Sequence, residues 1–358
     1  MKKIVVILLS LGALLILILL GVGYKLSSEF RSKLQMSLND SMIKINDEFS
    51  KNNTEVKFQP FVCSGLIGYE CVSKNIEIIQ KNTQEKLIGF SEATLSLEGL
   101  RRDSLEFSLS FPNLSLDFID KELKEDDKHK VYDIFKPRSL VCNQKNRVLD
   151  KKTGEIQAQT KCNITTSVAS YEINGIERIK SEKFVDKAIL KSLLQYYSFA
   201  FDLKKESIRK PPMFYEAIDS ISYQINSKNL KEFLYPIVQQ YYQQKHQSSH
   251  EEFSDKTYEF VIENFKNLTG LILGATGFLG SPYQDGILQF VDGIGRMATG
   301  NASGVKISLV PKQEKAPYFN LSSDMLLNIE HQGTQQKIFA KIFNNYDLKT
   351  QIIPYETK

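Results

Sequence analysis

The residues of this 358-residue chain that could do chemistry are few: four histidines, four cysteines and a few serine–lysine pairs. His246 and His250 stand four apart and are followed by Glu251 and Glu252. On one helix such a pair could hold a metal ion. Gln247-Ser248-Ser249 between them reads as a helix junction, and no third ligand accompanies them, so no metal is assigned. His129 lies in a charged stretch and is expected to be solvated; His331 is isolated. Ser41 with Lys44 and Ser207 with Lys210 match Ser-x-x-Lys, a spacing that chance supplies in a chain so rich in both residues, and no Gly-x-Ser-x-Gly occurs. No nucleophile is therefore assigned. Cys63, Cys71, Cys142 and Cys162 lack CxxC spacing and neighbouring histidines, which argues against zinc and for disulfides. Three pairings are open; Cys63 with Cys71 and Cys142 with Cys162 close the shortest loops and are the expected ones.

The sharpest local motif is Gly274-Ala275-Thr276-Gly277-Phe278-Leu279-Gly280, after the apolar run Leu271-Ile272-Leu273. It resembles the nucleotide-binding fingerprint of short-chain dehydrogenases, in which glycines let the backbone approach a pyrophosphate at a helix N-terminus. The surroundings oppose that use. The residues before it do not alternate strand and helix, and too few follow for a doubly wound sheet. Tyr241 and Lys245 have the family's Tyr-x-x-x-Lys spacing but lie upstream. No cofactor is expected. From Leu268 to Gln284 there is no charged residue. An apolar, glycine-rich run of that length is buried or touches lipid, and Leu268, Leu271, Ile272, Leu273, Phe278 and Leu279 are its candidate lipid contacts.

Three elements must hold these residues. Residues 4–23 carry no charge and suffice to cross a bilayer as a helix; Lys2 and Lys3 precede them. A cleaved signal peptide would have a shorter apolar core and a small-residue exit. The exit here is Gly21-Val22-Gly23-Tyr24, so 1–23 is read as an uncleaved anchor. Residues 24–53 form an amphipathic stalk helix, with Leu26, Phe30, Leu34, Leu38, Met42, Ile45 and Phe49 on one face. That stripe packs on the protein's own sheet or, through Phe30, Leu34, Leu38 and Met42, meets a partner. The heptad is not sustained, which favours the former.

Beyond the stalk the fold class is α+β: a long antiparallel sheet, with helices packed on it in the C-terminal half. Residues 54–210 form a β-rich domain. Val56 to Val62, Ala93 to Leu97, Leu105 to Phe111, and Ile156 to Ile164 alternate apolar and polar, with Tyr171 and Ile173 next. Pro112-Asn113 interrupts the phase, and Leu114, Leu116 and Phe118 resume it. Residues 121–130 read as a solvated loop, and 181–201 as a helix. Residues 211–358 are mainly helical with short strands: helices over 229–244, 250–267, 284–298 and 332–343, and strands at 221–225 and 304–310. Ser249 with Glu252 suggests a capping box for the second of these helices.

The N-terminal layout resembles the YdgA-like proteins, a bacterial inner-membrane-anchored family. Lys2-Lys3, the anchor, Tyr24-Lys25, the amphipathic helix to Phe49, a strand from Val56 and the corner Gly65-Leu66-Ile67-Gly68-Tyr69 carry the resemblance. It is also similar to the broader AsmA-like envelope proteins. The resemblance covers about the first third of the chain and implies a single-pass protein of the bacterial inner membrane with its C-terminal domain in the periplasm. It also implies a link with lipid handling. Four cysteines beyond the anchor suit that oxidising compartment. Net charge is +4 with both signs interspersed, which excludes nucleic acid as a main partner. The expected function is non-catalytic: an envelope protein that handles or senses a hydrophobic ligand. The alternatives are a scaffold that binds another envelope protein and an enzyme whose site lacks a known motif.

Overall fold

Period-two alternation dominates the chain from Thr54 onward, and it builds one sheet. The computed structural model describes residues 28–65, 68–116, 132–193, 196, 214–245, 252–273, 281–320 and 344–355. Helix α1 (Ser28–Ser50) comes first. Strands β1 (Thr54–Lys57), β2 (Val62–Ser64), β3 (Tyr69–Gln80), β4 (Glu85–Leu97), β5 (Ser104–Phe111), β6 (Ser139–Asp150), β7 (Glu155–Thr165), β8 (Ser170–Lys180) and β9 (Tyr215–Asn226) follow. Helices α2 (Leu230–Lys245), α3 (Asp255–Leu273) and α4 (Gln284–Ala298) precede β10 (Gly304–Pro311), β11 (Phe319–Asn320) and β12 (Tyr346–Ile353). The sheet has twelve strands in the order β1-β3-β4-β5-β6-β7-β8-β9-β10-β12, with β2 on β3 and β11 on β9. Every pairing is antiparallel.

The α+β class and the large antiparallel sheet are thus as the alternation predicts. Strands from both the 54–210 and the 211–358 regions lie in that one sheet. Residues 4–23 lie outside the described residues; among those described, no helix is long and apolar enough to cross a membrane.

Directly opposed residues in an antiparallel sheet share a face. Read across the pairs, Phe111, Leu140, Ile164, Tyr171, Ile225, Val305 and Ile352 form one apolar row over seven strands. At one end this face enters a core with Leu34, Leu38, Met42, Phe61, Leu105 and Phe107. At the other end it meets α2, α3 and α4 around Leu230, Met297 and Val305. The two cysteine pairs are opposed cross-strand residues: Cys63 with Cys71 on β2 and β3, and Cys142 with Cys162 on β6 and β7. Both stand at disulfide distance, with Cα–Cα 4.0 Å.

Helix α1 does more than fill the core. Its polar side chains bond the backbone of the sheet's first edge: Gln35 Oε1 accepts from Cys63 N (2.9 Å), Asn39 Oδ1 from Phe61 N (2.7 Å) and Asn46 Oδ1 from Val56 N (2.8 Å). Asn39 Nδ2 also donates to the Phe61 carbonyl oxygen at 3.2 Å. An edge that would otherwise offer free N–H groups to another chain is closed by a helix.

At the centre of β8 and β9 the register shifts between Ile176 and Glu177, leaving Asp219 as the extra residue of a bulge. Arg178 holds that bulge, donating from Nε and Nη2 to Asp219, and from Nη1 to Glu155 and Tyr318. Helix α4 lies close on β10 and β12 because Gly286 and Gly293, two turns apart, face them. A Cβ on Gly293 would stand 2.4 Å from a Val305 methyl carbon, and one on Gly286 2.9 Å from the Leu348 carbonyl oxygen.

Several local expectations are corrected. Residues 181–201 are not one helix: the chain makes a 3₁₀ turn at Glu182–Phe184, and helix resumes only at Ile189. Gly154 and the β6–β7 turn hold that 3₁₀ segment, since Ser181 N donates to the Gly154 carbonyl oxygen and Asp186 N to that of Lys151. After Pro112-Asn113 the β5 ladder gives way to an isolated bridge between Ser115 and Gly89, and Leu114 N donates to the Arg138 carbonyl oxygen; Phe118 lies outside the described residues. The strand expected at 221–225 is the end of the twelve-residue β9. Helix α3 starts at Asp255, with Ser254 Oγ accepting from Thr257 N, so Ser249 and Glu252 do not cap it. The loop at 121–130 and the helix at 332–343 lie outside the described residues.

Candidate ligand cavity

The apolar row supplies a floor and the three helices supply walls, but they do not close on each other. A cavity of ≈ 480 Å³ remains between them. Tyr171, Tyr223 and Ile225 of the sheet form its floor. Leu234 and Val238 of α2, Ile262 and Phe265 of α3, and Val291 and Ile294 of α4 line its sides. Ile134 and Phe135, from the turn before β6, close one end. The size falls within the range of small-molecule sites. Tyr171 and Tyr223 are stacked with ring centroids 6.3 Å apart, and Tyr223 meets Phe290 of α4 at the same distance.

Three of the four hydroxyls that line the cavity, those of Tyr171, Ser227 and Thr269, are engaged by backbone. Tyr171 Oη donates to the Ile134 carbonyl oxygen at 2.6 Å, Ser227 Oγ to that of Val168 at 2.7 Å, and Thr269 Oγ1 to that of Phe265 at 2.9 Å. Burial, and then the neighbouring Tyr223, push the Tyr171 phenol up to about 12, and burial raises Tyr223 as well. Both phenols stay neutral through the physiological range. Among the described residues the one charged liner is Lys266, whose ammonium is held by Glu263 at 2.7 Å and Asp292 at 3.0 Å. Hydrogen bonds that it donates to Glu263 and Asp292 raise its pKa against the opposing effect of burial. The space inside is suited to hydrocarbon: an apolar cavity excludes water and accepts apolar guests.

The rim is apolar too. The liners Phe265 and Phe135 are 69% and 66% exposed, and Leu268, farther along α3 and not a cavity liner, is 53% exposed. Leu268 therefore sits on the outer surface of α3, at the start of the uncharged run. Leu271, Ile272 and Leu273 are in the last turn of α3. That helical state removes the strand which a dinucleotide fingerprint needs before its glycines. Gly274 to Gly280, with Phe278 and Leu279, lie outside the described residues, as do His246, His250 and Glu251. Among the described residues no cluster of three His, Cys, Asp or Glu side chains could hold a metal ion. On α1, Leu34, Leu38 and Met42 are buried at 0%, 0% and 3% exposure, packed in the core with the sheet; Phe30 lies in the helix's first turn.

The cavity liners were not singled out by sequence reasoning. The alternation of Ile221, Tyr223 and Ile225 and the helical spacing of Leu230, Leu234 and Ile237 show two apolar faces. Neither shows that the faces would stand apart when they meet. In comparisons with known proteins, the chain matches no protein-family model and no curated protein. The fold and cavity define an antiparallel-sheet protein with a helix-roofed apolar chamber.

Proposed function

We propose that this chain is a non-catalytic, membrane-anchored binding protein for a hydrophobic ligand with an acyl-type chain, housed between the sheet and α2, α3 and α4. The observation that carries the reading is the ≈ 480 Å³ apolar cavity, three of whose four lining hydroxyls are already bonded to backbone. Each buried methylene of such a chain contributes about 0.8 kcal/mol, so a tail alone gives useful affinity. The exposed Phe265 of the cavity lining and the exposed Leu268 three residues on, where the uncharged residues 268–284 begin, would meet the bilayer from which the ligand comes. The apolar run 4–23 is the proposed anchor, and the cysteine pairs support an oxidising, periplasmic side.

The test is native mass spectrometry with lipid extraction on the full chain, disulfides intact, beside the variant Val238→Trp. Val238 lines the cavity, and the larger ring occupies it. The expected result is a co-purifying amphiphile on the parent chain, lost from a variant with unchanged circular dichroism. A parent chain that carries no amphiphile and takes up no added apolar probe overturns the reading.

A further inference from the structure

We infer that a polar groove beside the cavity takes the zwitterionic head of the amphiphile whose tail fills it. The inference rests on the cavity reading. The groove, of ≈ 540 Å³, lies between α3 and α4 and shares Ile262, Lys266 and Gly295 with the cavity wall. Chain-sized apolar space and a charged trough thus meet along one edge, which is the layout of a ligand with a tail and a head.

The charges choose the head. Lys256, Lys266 and Arg296 face the groove with Glu259, Glu263 and Asp292, so its formal charge is 3 − 3 = 0. A head of one sign would bring its charge against three like charges. An uncharged head would displace water from six ions without replacing its bonds. Part of this set is already committed: Lys266 bridges Glu263 and Asp292, and Arg296 Nε donates to Asp292 at 2.8 Å. Lys256 and Glu259, one helical turn apart on the exposed side of α3, make no ion pair among the described residues. The terminal Nη groups of Arg296, a side chain 56% exposed, make none there either. Two open cationic groups and one open carboxylate fit a phosphodiester joined to an ammonium, the head of a phosphocholine or phosphoethanolamine amphiphile. The phosphate goes to Lys256 and Arg296, and the ammonium to Glu259.

The experiment uses the full chain, disulfides intact, held in an amphiphilic polymer and loaded with the uncharged dye N-phenyl-1-naphthylamine. Four competitors share a dodecyl chain and differ in the head: phosphocholine, phosphate, trimethylammonium and hydroxyl. Dodecylphosphocholine is expected to displace the dye at a concentration about fivefold below the other three, the yield of a half-exposed charge pair. Lys256→Gln and Glu259→Gln, both at exposed positions, are each expected to erase that advantage while leaving dye binding and displacement by dodecanol unchanged. Equal displacement by all four, or preference for the phosphate alone, overturns the head assignment and leaves the cavity standing; the charges of α3 then simply face water. A dye that does not bind, or that none of the four displaces, overturns the cavity reading itself.

Discussion

At the scale of single residues, the groups with the most perturbed chemistry are structural. Glu177 and Glu216 point to one side of β8 and β9, where Glu216 Oε2 also accepts from Tyr196 Oη at 3.3 Å. Burial first, then the charge of Glu216 and a hydrogen bond with it, raise the Glu177 carboxyl from its ordinary 4.5 to about 8. The folded state therefore keeps a proton that the unfolded chain gives up near 4.5. Between those values the unfolded state binds fewer protons, so stability is fully present below 4.5 and falls as pH rises through 8. The urea midpoint of the parent chain should decline over that window. Glu177→Gln, which holds the neutral form's shape, should flatten the slope and be the more stable chain at pH 8. An unchanged slope in the variant would assign the pH dependence to other groups. None of this was legible in the sequence, because Glu177 looks like any strand glutamate until the β9 register brings Glu216 beside it.

At the scale of elements, what was readable was what repeats. Leu105, Phe107, Leu109 and Phe111 alternate without a break, and all four are buried. The stripe Leu34, Leu38 and Met42 marks the inner face of α1. Bonds between a side chain and distant backbone leave no such pattern, and the edge closure by Gln35, Asn39 and Asn46 is of that kind. Their spacing of four and seven residues sets them along one side of α1, but nothing near them in sequence names Phe61, Cys63 and Val56 as partners. Likewise β12, whose Tyr346, Leu348, Thr350 and Ile352 alternate weakly among polar neighbours, emerges only through its pairing with β10. Asn39 gives a direct test. Asn39→Ala removes both bonds to Phe61 and leaves a partly buried N–H without its acceptor, a cost of about 1–3 kcal/mol. Hydrogen exchange should report it locally, with the Phe61 amide losing protection while the centre of β7 keeps its own. Equal protection at Phe61 in both chains would show that α1 covers this edge by apolar contact alone.

For the whole molecule, the continuous apolar row makes the N-terminal core and the helix-covered end parts of one unit. Phe111 reaches Ile352 through six successive cross-strand pairs, and no strand order is broken between them. Leu105 is fully buried on β5 at one end and Val305 fully buried on β10 at the other. Truncating Leu105 to alanine should cost about 3 kcal/mol, and truncating Val305 somewhat less. If the sheet melts as one, each variant lowers the same single transition, whether followed by backbone circular dichroism or by release of a cavity-bound dye. Reduction of Cys142–Cys162, between β6 and β7 in the middle of the row, should lower that shared transition again by about 2–3 kcal/mol. Two transitions, with Val305→Ala moving only the one that releases the dye, would instead mean that the chamber end unfolds by itself. The sheet would then be a frame on which the ligand-holding end opens independently, and loading could proceed by that local opening without disturbing the α1-covered core.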